Sequence, residues 1–189
     1  MRISAGEHRG RRLQSVKGNI TRPTSDLLRQ AAFNVLGDRI HDARVLDLCA
    51  GTGSVGLEAL SRGAATATFV ERNRRAVETL RANVTRLGLT SRARVIAGDV
   101  LVALKRFKTA AETFDCVFLD PPYGEPLAVR CIEVLADGAI LGENGILMTQ
   151  AFRKTPLPDQ VGSLRRTWRR RYGESSLAVY TREKQEVCR

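Results

Sequence analysis

Long apolar runs are missing from this 189-residue chain: nowhere do about 18 apolar residues stand together, the length a membrane-spanning helix needs. The opening MRISAGEHRGRR also lacks the apolar stretch of a secretory leader. Both absences point to a soluble protein of the cytoplasm, with no membrane partner. Cysteine and histidine are scarce. Cys49, Cys116, Cys131 and Cys188 form no CxxC pair, and with only His8 and His41 beside them no zinc-type ligand set arises. Reduced thiols and no metal are expected. No internal repeat or low-complexity linker interrupts the chain, which is long enough to remove about 70% of its unfolded surface from water as one domain.

What is present in excess is positive charge, +11 in all. Residues 1–22 hold six basic and one acidic residue, residues 153–189 hold ten and four, and the stretch between them is balanced. Two basic ends around a neutral centre suit a polyanion gripped from both sides. Arginine supplies 26 of the 31 basic residues, which favours bidentate phosphate contacts and stacking on bases.

Leu27, Leu28, Ala31, Ala32, Val35 and Leu36 recur at helical spacing behind Thr24, Ser25 and Asp26, which mark a helix start. Beyond them short apolar runs alternate with helical patterns: strand 44–48, helix 54–62, strand 67–71, helix 73–87, strand 94–97, helix 99–107, strand 114–119, helix 127–135 and strand 145–151. Such a series predicts an α/β fold, a parallel sheet with helices on both faces. Residues 164–172 and 175–182, separated by Gly173-Glu174, read instead as a terminal hairpin. The arginines around Trp168 and Tyr172 fit a nucleic-acid surface and fit equally well a sheet edge with its charged side in water.

The run 114–119 ends in Asp120-Pro121-Pro122-Tyr123. A DPPY at a strand's carboxyl end suits methylation of an amino group on a nucleobase, and taken alone fits equally well a proline-terminated strand with a turn tyrosine. An exocyclic base amine is a poor nucleophile, because its lone pair is delocalised into the ring. Asp120 can draw the amine hydrogens aside. The prolines restrict the turn so that the Pro121 carbonyl can be a second acceptor, and Tyr123 offers a flat face to the base.

A second motif, LDLCAGTGSVG from Leu46 to Gly56, sets Asp47 near a strand end and a glycine-rich turn (Cys49, Ala50, Gly51, Thr52, Gly53) before a helix. The spacing Gly51-x-Gly53-x-x-Gly56 also matches a dinucleotide fingerprint. Glu71 ends the next strand, where a carboxylate can accept from both ribose hydroxyls. Asp99 follows the third, where it can meet an adenine amine or merely cap a helix. In an open parallel sheet Asp47, Glu71, Asp99 and Asp120 would converge on one crevice. Four carboxylates repel a pyrophosphate, whereas S-adenosylmethionine bears a sulfonium and an ammonium. The set therefore favours that cofactor over NAD.

Together with GRRL at 10–13, TRPTSD at 21–26 and FNVL at 33–36, these motifs make the chain resemble the bacterial small-subunit ribosomal RNA methyltransferase D family over nearly its whole length. The resemblance implies a class I methyltransferase with a Rossmann-like seven-stranded sheet, mostly parallel with its last strand antiparallel. It divides the chain into a basic extension, residues 1–22, expected to form a hairpin on RNA, and a methyltransferase domain, residues 23–189. It implies methylation of the exocyclic N2 of guanine 966 (conventional numbering) in 16S ribosomal RNA, with S-adenosylhomocysteine as by-product. Residues 47–53 would hold the methionine part of the cofactor, Glu71 its ribose, and Asp99 with Val100 its adenine. Asp120, Pro121, Pro122 and Tyr123 would hold the guanine. Arg9, Arg11, Arg12, Arg22, Arg165, Arg166 and Arg169 are the candidate RNA contacts. Gln30 stands where the family usually places an acid.

Partners would be the small ribosomal subunit, its 16S RNA, and ribosomal proteins that present the target loop; a monomer is the default. Three other functions compete. A DNA adenine-N6 methyltransferase shares cofactor and motif but needs a larger target-recognition region. A non-catalytic RNA-binding assembly factor would not need intact DPPY and cofactor acids, and an NAD-dependent oxidoreductase would have no task for residues 120–123.

Overall fold

The computed structural model of the chain describes residues 1–16, 26–122, 127–137 and 139–182. Helix α1 (Asp26–Leu36) leads through a 3₁₀ turn (Gly37–Ile40) into β1 (Arg44–Leu48), α2 (Ser54–Ser61), β2 (Thr66–Glu71), α3 (Arg74–Arg86) and β3 (Ala93–Ala97). There follow α4 (Val100–Thr109), β4 (Phe114–Leu119), α5 (Leu127–Ala136), β5 (Leu141–Phe152), β6 (Gln160–Val161), β7 (Leu164–Tyr172) and β8 (Ser175–Arg182).

These strands form one sheet in the order β3-β2-β1-β4-β5-β8-β7-β6. Pairing is parallel from β3 through β5 and antiparallel beyond, so the alternating series and the reversed terminal hairpin both form as expected. The sheet has eight strands, however, and not seven. The extra strand is the two-residue β6, folded onto β7 because Arg166 reaches back across the preceding connection. Its amide donates to the Asp159 carbonyl at 2.7 Å, its Nη1 donates to the Leu157 carbonyl at 2.6 Å, and its guanidinium pairs with the Asp159 carboxylate. β5 also starts earlier than expected, since Leu141 pairs with Phe114 across a register irregularity.

Strand alternation divides the core between the two sheet faces. Val45, Cys116 and Phe118 point to one face, where Phe33 of α1, Leu57 and Leu60 of α2 and Leu80 of α3 cover them. Leu46, Leu48, Val117 and Leu119 point to the other, against Leu104 and Phe107 of α4 and Ile132 and Leu135 of α5. Burial on both faces explains why β1, β2 and β4 are apolar almost without interruption.

Residues 1–16 turn back on themselves through an antiparallel Arg2–Arg12 bridge, with the Ile3 amide donating to the Arg11 carbonyl at 3.0 Å and the Gly10 amide to the Ile3 carbonyl at 2.9 Å. Ile3 and Leu13 enter the same core layer as α1, α2 and α3. Arg9, Arg11 and Arg12 remain exposed. Glu58, fully buried on α2, fastens this hairpin: its carboxylate accepts from the Ser4 amide at 2.8 Å, the Ser4 hydroxyl at 2.6 Å and the Ala5 amide at 3.1 Å. Arg62 Nε adds a bond at 2.9 Å, and Arg29 Nε lies 3.4 Å away. Arg29 is itself buried and donates through Nη2 to the Arg2 carbonyl at 2.6 Å.

Removing one member of a buried ion pair strands the other, at about 3–5 kcal/mol. Glu58→Ala should therefore lower the urea-unfolding free energy by about that much, and a variant as stable as the native chain would show that the hairpin is not held through Glu58.

Candidate active site

The chain runs outward from β1 to β2 and β3, then returns to place β4 on the other side of β1. That reversal leaves a crevice beyond the carboxyl ends of β1 and β4, the place where open α/β sheets bind ligands. Asp47 lies on β1 level with Phe118 of β4 and Phe69 of β2, and Asp120 follows directly after β4. The Asp120 amide lies 3.4 Å from the Leu48 carbonyl, which ties the start of the DPPY turn to β1.

Asp47 is buried, and its Oδ2 accepts from the Gly56 amide at 2.9 Å. Burial, opposed by that bond and reinforced by the neighbouring charges of Asp120 and Glu71, pushes its carboxyl up to about 7. These three acids do converge. Glu71, also buried, accepts from the Gly51 amide at 2.8 Å through Oε2 and from the Asn73 amide at 2.7 Å through Oε1. One carboxylate at the end of β2 thus shapes the glycine turn after β1.

The turn itself is strained and open. Cys49 takes a left-handed conformation with φ 61°, sparsely allowed for a residue with a side chain. Gly51 has φ 55°, and a Cβ there would meet no atom within 4 Å, so the backbone faces free space. Ala50 and Thr52 are buried beside it, and the Gly53 amide closes the turn onto the Ala50 carbonyl at 2.8 Å. The two later glycines serve packing: a Cβ on Gly53 would sit 2.2 Å from Leu80, and one on Gly56 would sit 2.3 Å from the Phe69 ring. Gly56 completes the apparent dinucleotide fingerprint, and it is a close helix–sheet contact.

Asp99 caps α4, its Oδ1 accepting from the Leu101 and Val102 amides at 2.9 and 3.1 Å, while Val100 is buried as the helix's first residue. Asp120 is half-buried, Pro121 buried and Pro122 exposed. Tyr123 lies outside the described residues, as does Arg22. Burial pushes the Cys116 and Cys131 thiols up to about 12 and Cys49 still further, so none offers a ready thiolate nucleophile. Among the described residues no His, Cys, Asp and Glu cluster could hold a metal ion, and no helix is long and apolar enough to cross a membrane.

The outer arginines divide. Arg166 is tied to Leu157 and Asp159, and Arg169 Nη2 donates to the carbonyls of Arg153 and Thr155 at 3.2 and 3.3 Å and to the Ser176 hydroxyl at 3.3 Å. Both brace the connection that follows β5. Arg165 is exposed.

Two residues that adjoin the site were not anticipated. Glu58 holds the hairpin on α2, the helix that leaves the glycine turn. Asn83, buried on α3, accepts from the Gln14 amide at 2.8 Å and donates to the carbonyls of Gln14 and Thr52, each at 3.1 Å. It clasps the end of the hairpin to the glycine turn. A signal existed for each: a lone acid inside the apolar run Val55–Leu60, and an asparagine on the stripe Ala76, Leu80, Val84.

With its carboxyl raised, Asp47 keeps a proton in the folded state that the unfolded chain loses near its ordinary value of about 4. Its contribution to stability is full below that value and is lost as pH rises toward 7. Asp47→Asn should flatten this part of the pH–stability profile from urea unfolding, and an unchanged profile would show that Asp47 is not the group responsible.

The family described as conserved hypothetical protein 95 matches residues 1–181. YlbH of Bacillus subtilis (strain 168) is 37% identical over 180 residues, which is 95% of this chain and 98% of that protein. The ribosomal RNA small subunit methyltransferase D of Escherichia coli (strain K12) is 33% identical over 185 residues, 98% of this chain and 91% of that one. A solved structure of a hypothetical protein from Thermus thermophilus superposes with a TM-score of 0.81 at 38% identity, covering 95% of this chain and 98% of that chain. Likeness that runs through the hairpin, the glycine turn and the terminal strands alike is likeness of the whole molecule, and the chain belongs to the conserved hypothetical protein 95 family, among whose kin stand the small-subunit ribosomal RNA methyltransferases D.

Proposed function

We propose that the protein transfers a methyl group from S-adenosylmethionine to the exocyclic N2 of guanine 966 in 16S ribosomal RNA, in the cytoplasm, on an assembled small subunit whose proteins present the target loop. The observation that carries this reading is the convergence of Asp47, Glu71 and Asp120 at the switch point of the sheet. A buried acid pushed up to about 7 by burial and two acid neighbours calls for a cation. The open Gly51 gives a ligand's backbone-proximal atoms room. Both features fit the ammonium and sulfonium of S-adenosylmethionine and oppose a pyrophosphate. Ribosomal RNA as substrate draws on the name of the Escherichia coli relative.

When bound, S-adenosylmethionine supplies an electrophilic methyl group on a positively charged sulfur. Asp47 and the turn from Cys49 to Gly53 hold the methionine part, Glu71 accepts from the ribose, and Asp99 with Val100 borders the adenine. The Asp120 carboxylate and the Pro121 carbonyl accept from the two N2 hydrogens of the guanine, turning the amine lone pair toward the methyl. Pro122 stiffens the turn and Tyr123 stacks on the base. This contribution is positioning more than acid–base chemistry. The proton leaves to water after transfer. An unstacked loop nucleotide suits the arrangement, and Arg9, Arg11 and Arg12, exposed on the hairpin, supply phosphate contacts with Arg22 and Arg165.

Three experiments test this. Labelled methyl should pass from S-adenosylmethionine to one guanine N2 of small subunits lacking the modification; label only on DNA adenine would replace the reading with the DNA enzyme. Asp120→Ala should abolish transfer while leaving cofactor affinity by calorimetry unchanged, and retained turnover would remove Asp120 from the reaction. Cofactor binding at pH 6 should release protons, because its ammonium draws Asp47 to the ionised form; calorimetry in buffers of different ionisation heat reads this directly, and no release would place the ammonium elsewhere.

A further inference from the structure

The β7 arginines that the fold does not use stand at the active-site edge of the sheet. Register across the paired strands aligns Leu119 of β4 with Thr149 of β5, Thr149 with Ala178 of β8, and Ala178 with Arg169 of β7. The next residues, Arg170, Arg171 and Tyr172, are therefore level with Asp120, Pro121 and Pro122. Three strand spacings separate β7 from β4, about 14 Å. Only Leu164 and Arg165 of β7 pair with β6, so beyond them the outer edge of β7 meets no strand among the described residues.

Arg166 and Arg169 are anchored in the connection after β5, whereas Arg170 and Arg171 are exposed and their guanidinium groups form no ion pair or hydrogen bond among the described residues. Arg170 lies over the Tyr172 ring, its guanidinium carbon 5.7 Å from the centroid. Stacking holds the guanidinium plane while leaving its N–H edges to a phosphate. Successive strand residues point to opposite faces, so Arg171 offers a second cation on the other side. Tyr172 and Trp168, half-buried, pack on the core layer below. Guarding the sheet edge needs charge anywhere along β7; it does not require the unengaged arginines to gather at the end level with Asp120.

We propose that Arg170, Arg171 and the Tyr172 ring form an RNA-binding site for the strand that flanks the target nucleotide, about 14 Å from Asp120. It rests on the RNA methyltransferase reading above. Phosphates engage the two guanidinium groups, and affinity is salt-sensitive through them.

The test compares the native enzyme with Arg170→Ala/Arg171→Ala, with Arg170→Lys/Arg171→Lys, and with Lys105→Ala/Arg106→Ala, which removes equal charge from the exposed side of α4. For the first variant, KM for unmodified small subunits should rise about tenfold with kcat at saturation retained. The slope of log affinity for 16S RNA against log salt should weaken by about 1.4–1.8, the share of two phosphate contacts. Calorimetric affinity for S-adenosylmethionine and the melting temperature should not move, the lysine variant should recover most of the slope, and the α4 variant should match the native enzyme. A native KM and slope in the first variant would overturn the proposal, as would an equal loss in the α4 variant. A native enzyme that binds RNA with this arginine-dependent slope yet transfers no methyl would overturn the reaction and uphold the site.

Discussion

Parallel pairing of β1 on both sides is the constraint on which the rest depends. A strand flanked by β2 and β4 in the same direction must send its chain away at the same edge where theirs end. Because the order reverses at β1 and β4, helices leave to opposite faces and the edge between them stays open. Asp47, Glu71 and Asp120 meet there because each lies at or just beyond the end of one of these three strands. No loop has to fold over to bring them together.

That convergence is unfavourable by itself. Burial and the neighbouring charges of Asp120 and Glu71 raise the proton affinity of Asp47, and the chain tolerates the crowding through main-chain amides. Gly56 donates to Asp47, and Gly51 and Asn73 donate to Glu71, so three of the four oxygens of the two buried acids meet a main-chain N–H. The Glu71 bond pins the amide of Gly51, which like Cys49 takes a left-handed conformation. A turn held in this way leaves the Gly51 backbone facing free space.

Around this centre buried polar side chains join elements distant in sequence. Glu58 links the first five residues to α2 and Arg29 of α1, and Asn83 links Gln14 to Thr52. A buried charge with incomplete partners is costly, so such groups favour one arrangement over close competitors. The exposed arginines of the hairpin are thereby fastened to the core layer that also holds α1, α2 and α3.

The sequence by itself determined the alternation of strands and helices, because apolar periodicity follows directly from which faces are buried, and it named Asp47, Gly51, Glu71 and Asp120, because acids and glycines after apolar runs mark strand ends. It left Asp99 divided between capping and binding, and the structure adds the cap. What only the tertiary structure decided is pairing at long range. Glu58 and Asn83 sit on helical stripes as if they were core residues, and their partners in the hairpin, Ser4 and Gln14, lie more than fifty positions away. Arg166 and Arg169 look identical in sequence to Arg170 and Arg171; the first two are anchored by carbonyls of the turn after β5, and the fold alone, by setting that turn against one part of β7, leaves the guanidinium groups of the other two without a hydrogen bond or ion pair among the described residues. The two-residue β6 exists for the same reason, since no local pattern announces a strand that forms only because an arginine across the turn holds it.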